Sequence, residues 1–380
     1  MEPKIRFKGF DSRLDKSLIG DFCHISTGKS NTQDKKDDGI YPFYVRSPHI
    51  ERSNKYLYDE EAVLTVGDGV GTGKVFHYVN GKYDLHQRVY RMFNFKDINA
   101  KYFYYLFSQK FYKRVMSMTA KSSVDSVRLE MISKMEIEYP SINEQETIAN
   151  YFTSLDSQIS ASTSRLASLK QMKAASLQAM FPQEGETVPK IRFKGFEGEW
   201  KKVKADSIFK TFNEKNRPDL PVLSATQDRG MVTRESIGYN IFHDTSNETT
   251  YKHILPGQFV IHLRSFQGGF AHSEIEGIAS PAYTIIGFKN KDLYHDYYWR
   301  YVFMSKEFIK RLELITYGIR DGRSISYDEF KEMSFLVPSK EEQIKIASYL
   351  KNLDRQISLQ SQRLEKLKQI KSACLDKMFV

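Results

Sequence analysis

Two long stretches of the chain carry apolar residues at alternating four- and three-residue steps. One runs from Ile148 through Phe152, Leu155, Ile159, Leu166 and Leu169; the other runs from Ile346 through Leu350, Leu353, Ile357, Leu364 and Leu367. The step missing from each is polar, Ser162 and Gln360, and both stripes continue less regularly through Met172, Leu177 and Met180, and through Ile370, Leu375 and Met378. Such spacing puts the side chains on one narrow face of an α-helix, the seam of a coiled coil. Each stripe follows a proline and an S-x-x-E run, Ser141 with Glu144 and Ser339 with Glu342. That run predicts a capping box, with serine hydroxyl and glutamate carboxylate both satisfying backbone N–H groups at the helix start. At about 1.5 Å per residue each helix is roughly 55 to 60 Å long. An amphipathic stripe usually packs on its own domain; two near-copies of so long a seam more naturally pack on each other.

The two helices are copies in sequence as well as in pattern. The segment from Pro140, "PSINEQETIANYFTSLDSQIS", matches "PSKEEQIKIASYLKNLDRQIS" from Pro338, and over the longer stretch about half the positions are identical. A second repeat, "PKIRFKGF", stands at Pro3 and again at Pro189. Chance does not produce such a pair in 380 residues, so the chain reads as two half-proteins in tandem. Between box and helix the two halves differ almost completely. A shared frame therefore carries two unlike inserts, about Leu14 to Tyr139 and Glu197 to Val337. The expected domains are 1–140, a central long helix and linker at 141–188, a second domain at 189–338, and a C-terminal long helix at 339–380.

Within the first insert, alternation in "AVLTV" and "KVFHYV" predicts two strands around a run holding Gly67, Gly69, Gly71 and Gly73 before Lys74. The run is not a Walker A loop, because Asp68 and Val75 stand where the pattern needs glycine and Ser or Thr. It is not a dinucleotide fingerprint either, since Thr72, Lys74 and Phe76 fill the third-glycine position in the three registers. A glycine-rich turn between strands lets backbone N–H groups and Lys74 approach a phosphate; a purely structural hairpin turn fits equally.

Composition narrows the classes. With 40% apolar residues, 23 Tyr and 26 Phe, the chain has ample material for packed cores. No run of about 18 apolar residues occurs and the first residues lack the apolar core of a signal sequence, so a cytoplasmic protein with no membrane partner is expected. Cys23 and Cys374 are the only cysteines and lack metal-ligand spacing, so no disulfide framework and no metal site are expected. A net charge of +10 and a pI of about 9.2 favour a polyanionic partner. The second insert places Gln227, Arg229, Arg264, Gln267, Arg320 and Arg323 among Gly and Ser in expected loops. Loop Arg and Gln can pair with guanine and adenine edges, although each taken singly also reads as solvated surface. No G-x-S-x-G, no H-E-x-x-H and no Asn/Asp-Pro-Pro-aromatic run is present, so no residue is assigned a catalytic role.

In its two-half layout, in "PSINEQETIANYF" and "PSKEEQIKIASYL", and in phrases such as "LTVGDGVGTGKV" and "LRSFQGGFAHSEIEGIASPAY", the whole chain resembles the specificity subunits of type I restriction-modification systems. The resemblance implies an α+β fold: two α/β target recognition domains in tandem, each followed by a long helix, the two helices pairing as an antiparallel coiled-coil spacer. It implies that each domain reads one half of a split site in double-stranded DNA. It also implies two methyltransferase subunits docked on the helices, and restriction-translocase subunits joining that core. S-adenosylmethionine, ATP and Mg would belong to those partners. The DNA-contacting candidates are then Lys29, Asn31, Arg46, Asp68, Thr72, Lys74, Arg88 and Lys121 in the first insert, with the six loop residues named above in the second. A free-standing repressor or architectural DNA binder is the alternative. On either reading the protein is no enzyme by itself.

Overall fold

The computed structural model describes residues 3–69, 71–118, 126–226, 229–237, 245–262, 269–316 and 326–379. They divide into two compact units, one of residues 1–164 with 362–380 and one of residues 165–361.

In the first unit β1 (Asp15–Leu18) and a single turn α1 (Ile19–Phe22) lead into β2 (His24–Thr27), β3 (Tyr41–Tyr44), β4 (Ile50–Ser53), β5 (Tyr58–Val66), β6 (Phe76–Leu85) and β7 (Val89–Phe93). Helices α2 (Ala100–Ser117) and α3 (Leu129–Ser133), strand β8 (Glu136–Tyr139) and the long α4 (Ile142–Ala179) follow. Six strands form one sheet in the order β2-β7-β5-β6-β3-β4, antiparallel except for β3 beside β6. The alternation predicted for "AVLTV" is what splits this sheet into two faces. Ala62, Leu64 and Val66 join one core with Tyr83 and Leu85, while Val63 joins the opposite core with Met92 and α2. Helix α2 starts at Asn99, whose side chain accepts from the Tyr102 N–H. It packs through Phe103, Phe107 and Phe111, spaced four apart, whose rings stack with centroids 5.2 and 4.4 Å apart.

The second unit contains β9 (Lys201–Lys204), α5 (Ala205–Ile208), β10 (Phe209–Phe212), β11 (Leu223–Thr226), β12 (Gly230–Thr233), β13 (Lys252–Ile254), β14 (Phe259–Ile261), β15 (Phe270–His272), β16 (Gly277–Ala279) and β17 (Thr284–Phe288). After these come α6 (Asp296–Met304), α7 (Lys306–Thr316), α8 (Tyr327–Lys331), β18 (Ser334–Val337) and the long α9 (Lys340–Met378). Its main sheet has four strands, β10-β17-β14-β15, under an aromatic core in which Tyr298 and Trp299 of α6 are fully buried. The sheets of the two units are thus built differently.

The frame is the same in both. The ends of the first insert meet as β1 antiparallel to β8, and those of the second as β9 antiparallel to β18. Each long helix then starts two residues after a proline. In the first unit the beginning of α4 lies beside the end of α9: the Tyr151 hydroxyl is 3.4 Å from Cys374 Sγ, and the Phe152 ring stacks on Phe379. In the second unit the end of α4 lies beside the beginning of α9, with the Ser176 and Tyr349 hydroxyls 3.3 Å apart. Within each unit the contacts run in opposite senses along the two helices, Tyr151–Cys374 followed by Asp156–Lys371 in the first and Lys173–Asp354 followed by Ser176–Tyr349 in the second.

The seam residues pack into the cores of the two units. Ile148, Phe152 and Leu155 belong to the core that also holds α2, and Leu367 packs against it. Leu169, Ile346, Leu350 and Leu353 belong to the core of the second unit, with Ile357 against it. Leu364 is buried, and Ile159 and Leu166 are half-buried. These residues pack into the core of their own unit, which residues of the other long helix join: Leu367, Leu375 and Met378 in the first unit and Leu177 in the second.

The helix starts correct one expectation. The Ser339 hydroxyl accepts from the Glu342 N–H at 3.3 Å as a cap should, but neither glutamate turns back to its serine. The Glu144 carboxylate takes both Nε and Nη2 of Arg6, at 2.9 and 2.5 Å. Glu342 takes the same two atoms of Arg192, at 2.7 and 2.8 Å. Both glutamates are 1% exposed, and a buried carboxylate gains more from a two-toothed guanidinium than from one backbone N–H. These arginines are the third letter of "KIRFKGF". The next residue packs edge-on against the same helix, Phe7 on Tyr151 and Phe193 on Tyr349. The residue before donates its N–H to the end of the other long helix, Ile5 to Lys377 and Ile191 to Ala179. The repeated box is a clasp that joins the start of one helix to the end of the other.

Candidate nucleic-acid interface

Four loops of the first unit meet at one end of its six-stranded sheet: the segment after β2, the β3–β4 turn, the glycine-rich β5–β6 loop and the tight β6–β7 turn. The segment after β2 presses so closely on β6 that a Cβ on Gly28 would stand 2.2 Å from the Leu85 carbonyl oxygen, which only glycine permits. Backbone bonds from Lys29 and Ser30 to Leu85, and from Gln87 to Ser30, hold the two segments together. Beneath them the Ser30 hydroxyl donates to the fully buried Asp84 at 2.6 Å.

The candidate side chains stand on this scaffold. Lys29 is exposed, and Asn31 accepts from the Gln87 amide at 2.6 Å. Asp68 lies between two arginines, its Oδ1 3.4 Å from Arg46 Nη1 and its Oδ2 3.6 Å from Arg88 Nε. The Arg88 N–H donates to Nδ1 of buried His86, which leaves the ring proton on Nε2, 3.3 Å from the Thr32 hydroxyl. Burial, reinforced by the Arg46 guanidinium, pushes the pKa of His86 below its ordinary value, so the ring is a neutral prop beneath two cations.

The glycine-rich run is a loop between antiparallel strands, as the alternation predicted. Its backbone is pinned by Gly67 N–H to the Arg88 carbonyl and by Val127 N–H to the Gly67 carbonyl. Gly73 has φ +67°, a conformation side-chain-bearing residues rarely take. Lys74 leaves the loop on the side of α2, exposed, with Nζ 4.9 Å above the Tyr112 ring. Thr72 departs from its expected outward placement. It is buried, and its hydroxyl is spent on the Gly69 carbonyl at 2.5 Å, so it shapes the loop from inside.

Lys29, Asn31, Arg46, Asp68 and Arg88 therefore share one rim with Gln87, His86 and Thr32, which the sequence reading passed over. The signal for two of them was the polar run His86-Gln87-Arg88 between two apolar strands; Thr32 had none. In the second unit Arg229 is exposed at the β11–β12 turn, its N–H bonded to the Thr226 hydroxyl. Lys121, Gln227, Arg264, Gln267, Arg320 and Arg323 lie outside the described residues. Among the described residues no group of His, Cys, Asp and Glu is placed to hold a metal ion, and no helix is long and apolar enough to cross a membrane.

The fold defines a class: a protein of two tandem domains with unlike sheets on a duplicated mounting. The family described as "Type I restriction modification DNA specificity domain" matches residues 13–171 and again residues 197–369. The chain belongs to that family and carries its domain twice. The type I restriction enzyme EcoDI specificity subunit of Escherichia coli is 26% identical over 205 residues, 53% of this chain and 45% of that relative. The match thus spans under half the length of that curated relative. A solved S subunit of a type I restriction-modification system from M. genitalium superposes with a TM-score of 0.68, covering 100% of this chain and 99% of its own. At 15% identity that likeness establishes the shared fold.

Proposed function

We propose that the chain is the DNA sequence-specificity subunit of a type I restriction-modification complex. Each recognition domain reads one half of a bipartite target in double-stranded DNA. The long helices pair antiparallel as a spacer that sets the unread gap, and they dock two methyltransferase subunits. Restriction-translocase subunits complete the assembly, and S-adenosylmethionine, ATP and Mg act in the partners.

The observation that carries this reading is the rim of the first unit, where loops from four connections bring Lys29, Asn31, Arg46, Asp68, Gln87 and Arg88 together over a rigid sheet. Arg and Asn side chains held on fixed loops are suited to guanine and adenine edges, and exposed Lys29 and Lys74 to phosphates. The family membership and the net charge of +10 support the same conclusion.

The test is DNA retardation by the purified chain, alone and with its methyltransferase subunit, followed by methylome sequencing of the host. A split motif methylated only when this chain is present supports the proposal. Tight, sequence-specific binding by the chain alone, with no methylated motif, would instead mark a free-standing DNA binder.

A further inference from the structure

The least expected member of the rim is its carboxylate. Asp68 is an acid at the centre of a surface read as meeting a polyanion, and it is the only group paired with either Arg46 or Arg88 among the side-chain contacts described. Its own side chain is 25% exposed, whereas Arg46 and Arg88 are 48% and 63% exposed. The acid is recessed and the cations are outermost. Its position is fixed: Asp68 bridges to Ser126 in antiparallel fashion, between the Gly67–Arg88 and Val127–Gly67 backbone bonds. Buried His86 underlies the Arg88 side of the same cluster.

We propose that Asp68 is a specificity-determining residue that acts as a charge filter, holding Arg46 and Arg88 in place and opposing their capture by DNA of the wrong sequence. The inference rests on the DNA-reading role proposed above. Two guanidiniums around one carboxylate carry a net charge of +1, so the long-range pull on any DNA backbone is cut. A phosphate that draws an arginine away must first replace Asp68, exchanging one anionic partner for another with little gain. A guanine edge offers acceptors in the paired geometry that the guanidinium N–H groups not facing Asp68 can meet, so at the right sequence an arginine gains a directional partner while keeping its carboxylate. Asp68 thereby lowers affinity for all DNA and lowers it least where the sequence is right, which is discrimination achieved by penalising the competitor.

The experiment uses the chain assembled with its methyltransferase subunits. The probes are two labelled duplexes, one carrying the methylated motif found by methylome sequencing and one lacking it, titrated across a salt series. With Asp68→Asn, affinity for the duplex lacking the motif should rise roughly two- to fivefold, the scale of an exposed ion pair. Its salt dependence should steepen by up to about one unit of log–log slope, since about one more phosphate is neutralised. Affinity for the motif should stay level or rise by less, so the ratio of the two shrinks. Asp68→Glu, which keeps the charge, should restore most of that ratio. Parallel loss on both duplexes would overturn the proposal and make Asp68 a scaffold residue. Loss on the motif duplex alone would overturn it in favour of direct base contact. If the wild-type assembly fails to bind either duplex, the DNA-reading role itself is refuted.

Discussion

Arg6 and Glu144, 138 positions apart in the chain, form a two-bond ion pair at the start of the first long helix. Arg192 and Glu342 repeat it at the start of the second. The pair explains why one octapeptide is spelled twice. It also turns each insert into a cassette: strand pairs β1–β8 and β9–β18 close the insert at its base, and the clasp fastens that base to the helices. A second duplicated contact lies further along. Asp156 receives the Tyr105 hydroxyl at 2.7 Å and Lys371 at 2.5 Å; Asp354 receives Tyr301 at 2.7 Å and Lys173 at 2.5 Å. Each aspartate ties its recognition domain to both helices.

Truncating the clasp should cost stability out of proportion to its surface position. Arg6→Ala leaves the Glu144 carboxylate, with 2% of its side chain exposed, without its guanidinium. The expected loss is on the order of 3 kcal/mol, the low end for breaking a buried pair because Arg6 itself keeps some exposure. Arg6→Lys should recover only part of it, since an ammonium cannot make both bonds in one plane. Denaturant unfolding of the three proteins measures this.

Phe107 sits stacked between Phe103 and Phe111 with no exposed surface. Phe107→Ala should destabilise the first unit by about 3 to 5 kcal/mol through lost contact and the cavity left behind. The melting transition of the variant should split, the first unit unfolding before the second. A single unsplit transition lowered as a whole would show that the units unfold together.

Burial lowers the pKa of His77, His86 and His295. A histidine held neutral in the fold binds fewer protons there than when unfolded. Stability is therefore fully present above the ordinary histidine pKa of about 6.5 and is lost as pH falls through the window below it. Unfolding free energy should rise between about pH 5 and 7. In His86→Gln the rise should be shallower, which chemical denaturation at a series of pH values would reveal.

Lys74 projects from a loop whose shape is set by Thr72 and Gly73 and not by its own side chain. If it meets phosphate, Lys74→Ala should weaken binding to all sequences alike and reduce the log–log salt slope by roughly 0.9. Loss restricted to one base position in a competition assay would make it a base reader.

The spacer is best tested inside the helices. Residues added after Pro182 would fall between Ala179 and Ile191, which are already bonded to each other, and would bulge out without altering the helix pair. Four residues inserted after Ser164 in α4 and four after Ser361 in α9 add about one turn, roughly 6 Å, to each. At about 3.4 Å per base pair the gap should grow by one or two base pairs, with both half-sites unchanged. Methylome sequencing reads this directly, and a change in the bases themselves would sink the spacer reading.

The duplicated seams, the proline-led helix starts and the glycine-rich turn between strands could all be read from residue spacing, because helix and strand periodicities are properties of consecutive positions. The two-fold repeat of the frame was equally legible, since it needs only the chain compared with itself. Spacing could not tell what Glu144 does: its place in the S-x-x-E run points to its own serine, and only the arrival of Arg6 from a distant segment, in a site closed to water, decides for the ion pair. The same holds for the rim. Asn31 with Gln87, and Asp68 with Arg46 and Arg88, are neighbours because the sheet order β2-β7-β5-β6-β3 brings their loops to one end, and strand order is fixed by which faces must be buried together. Thr72 shows the limit within a single loop, where a residue next to Gly73 and Lys74 points inward because its hydroxyl joins its own N–H on the Gly69 carbonyl and closes the turn from inside.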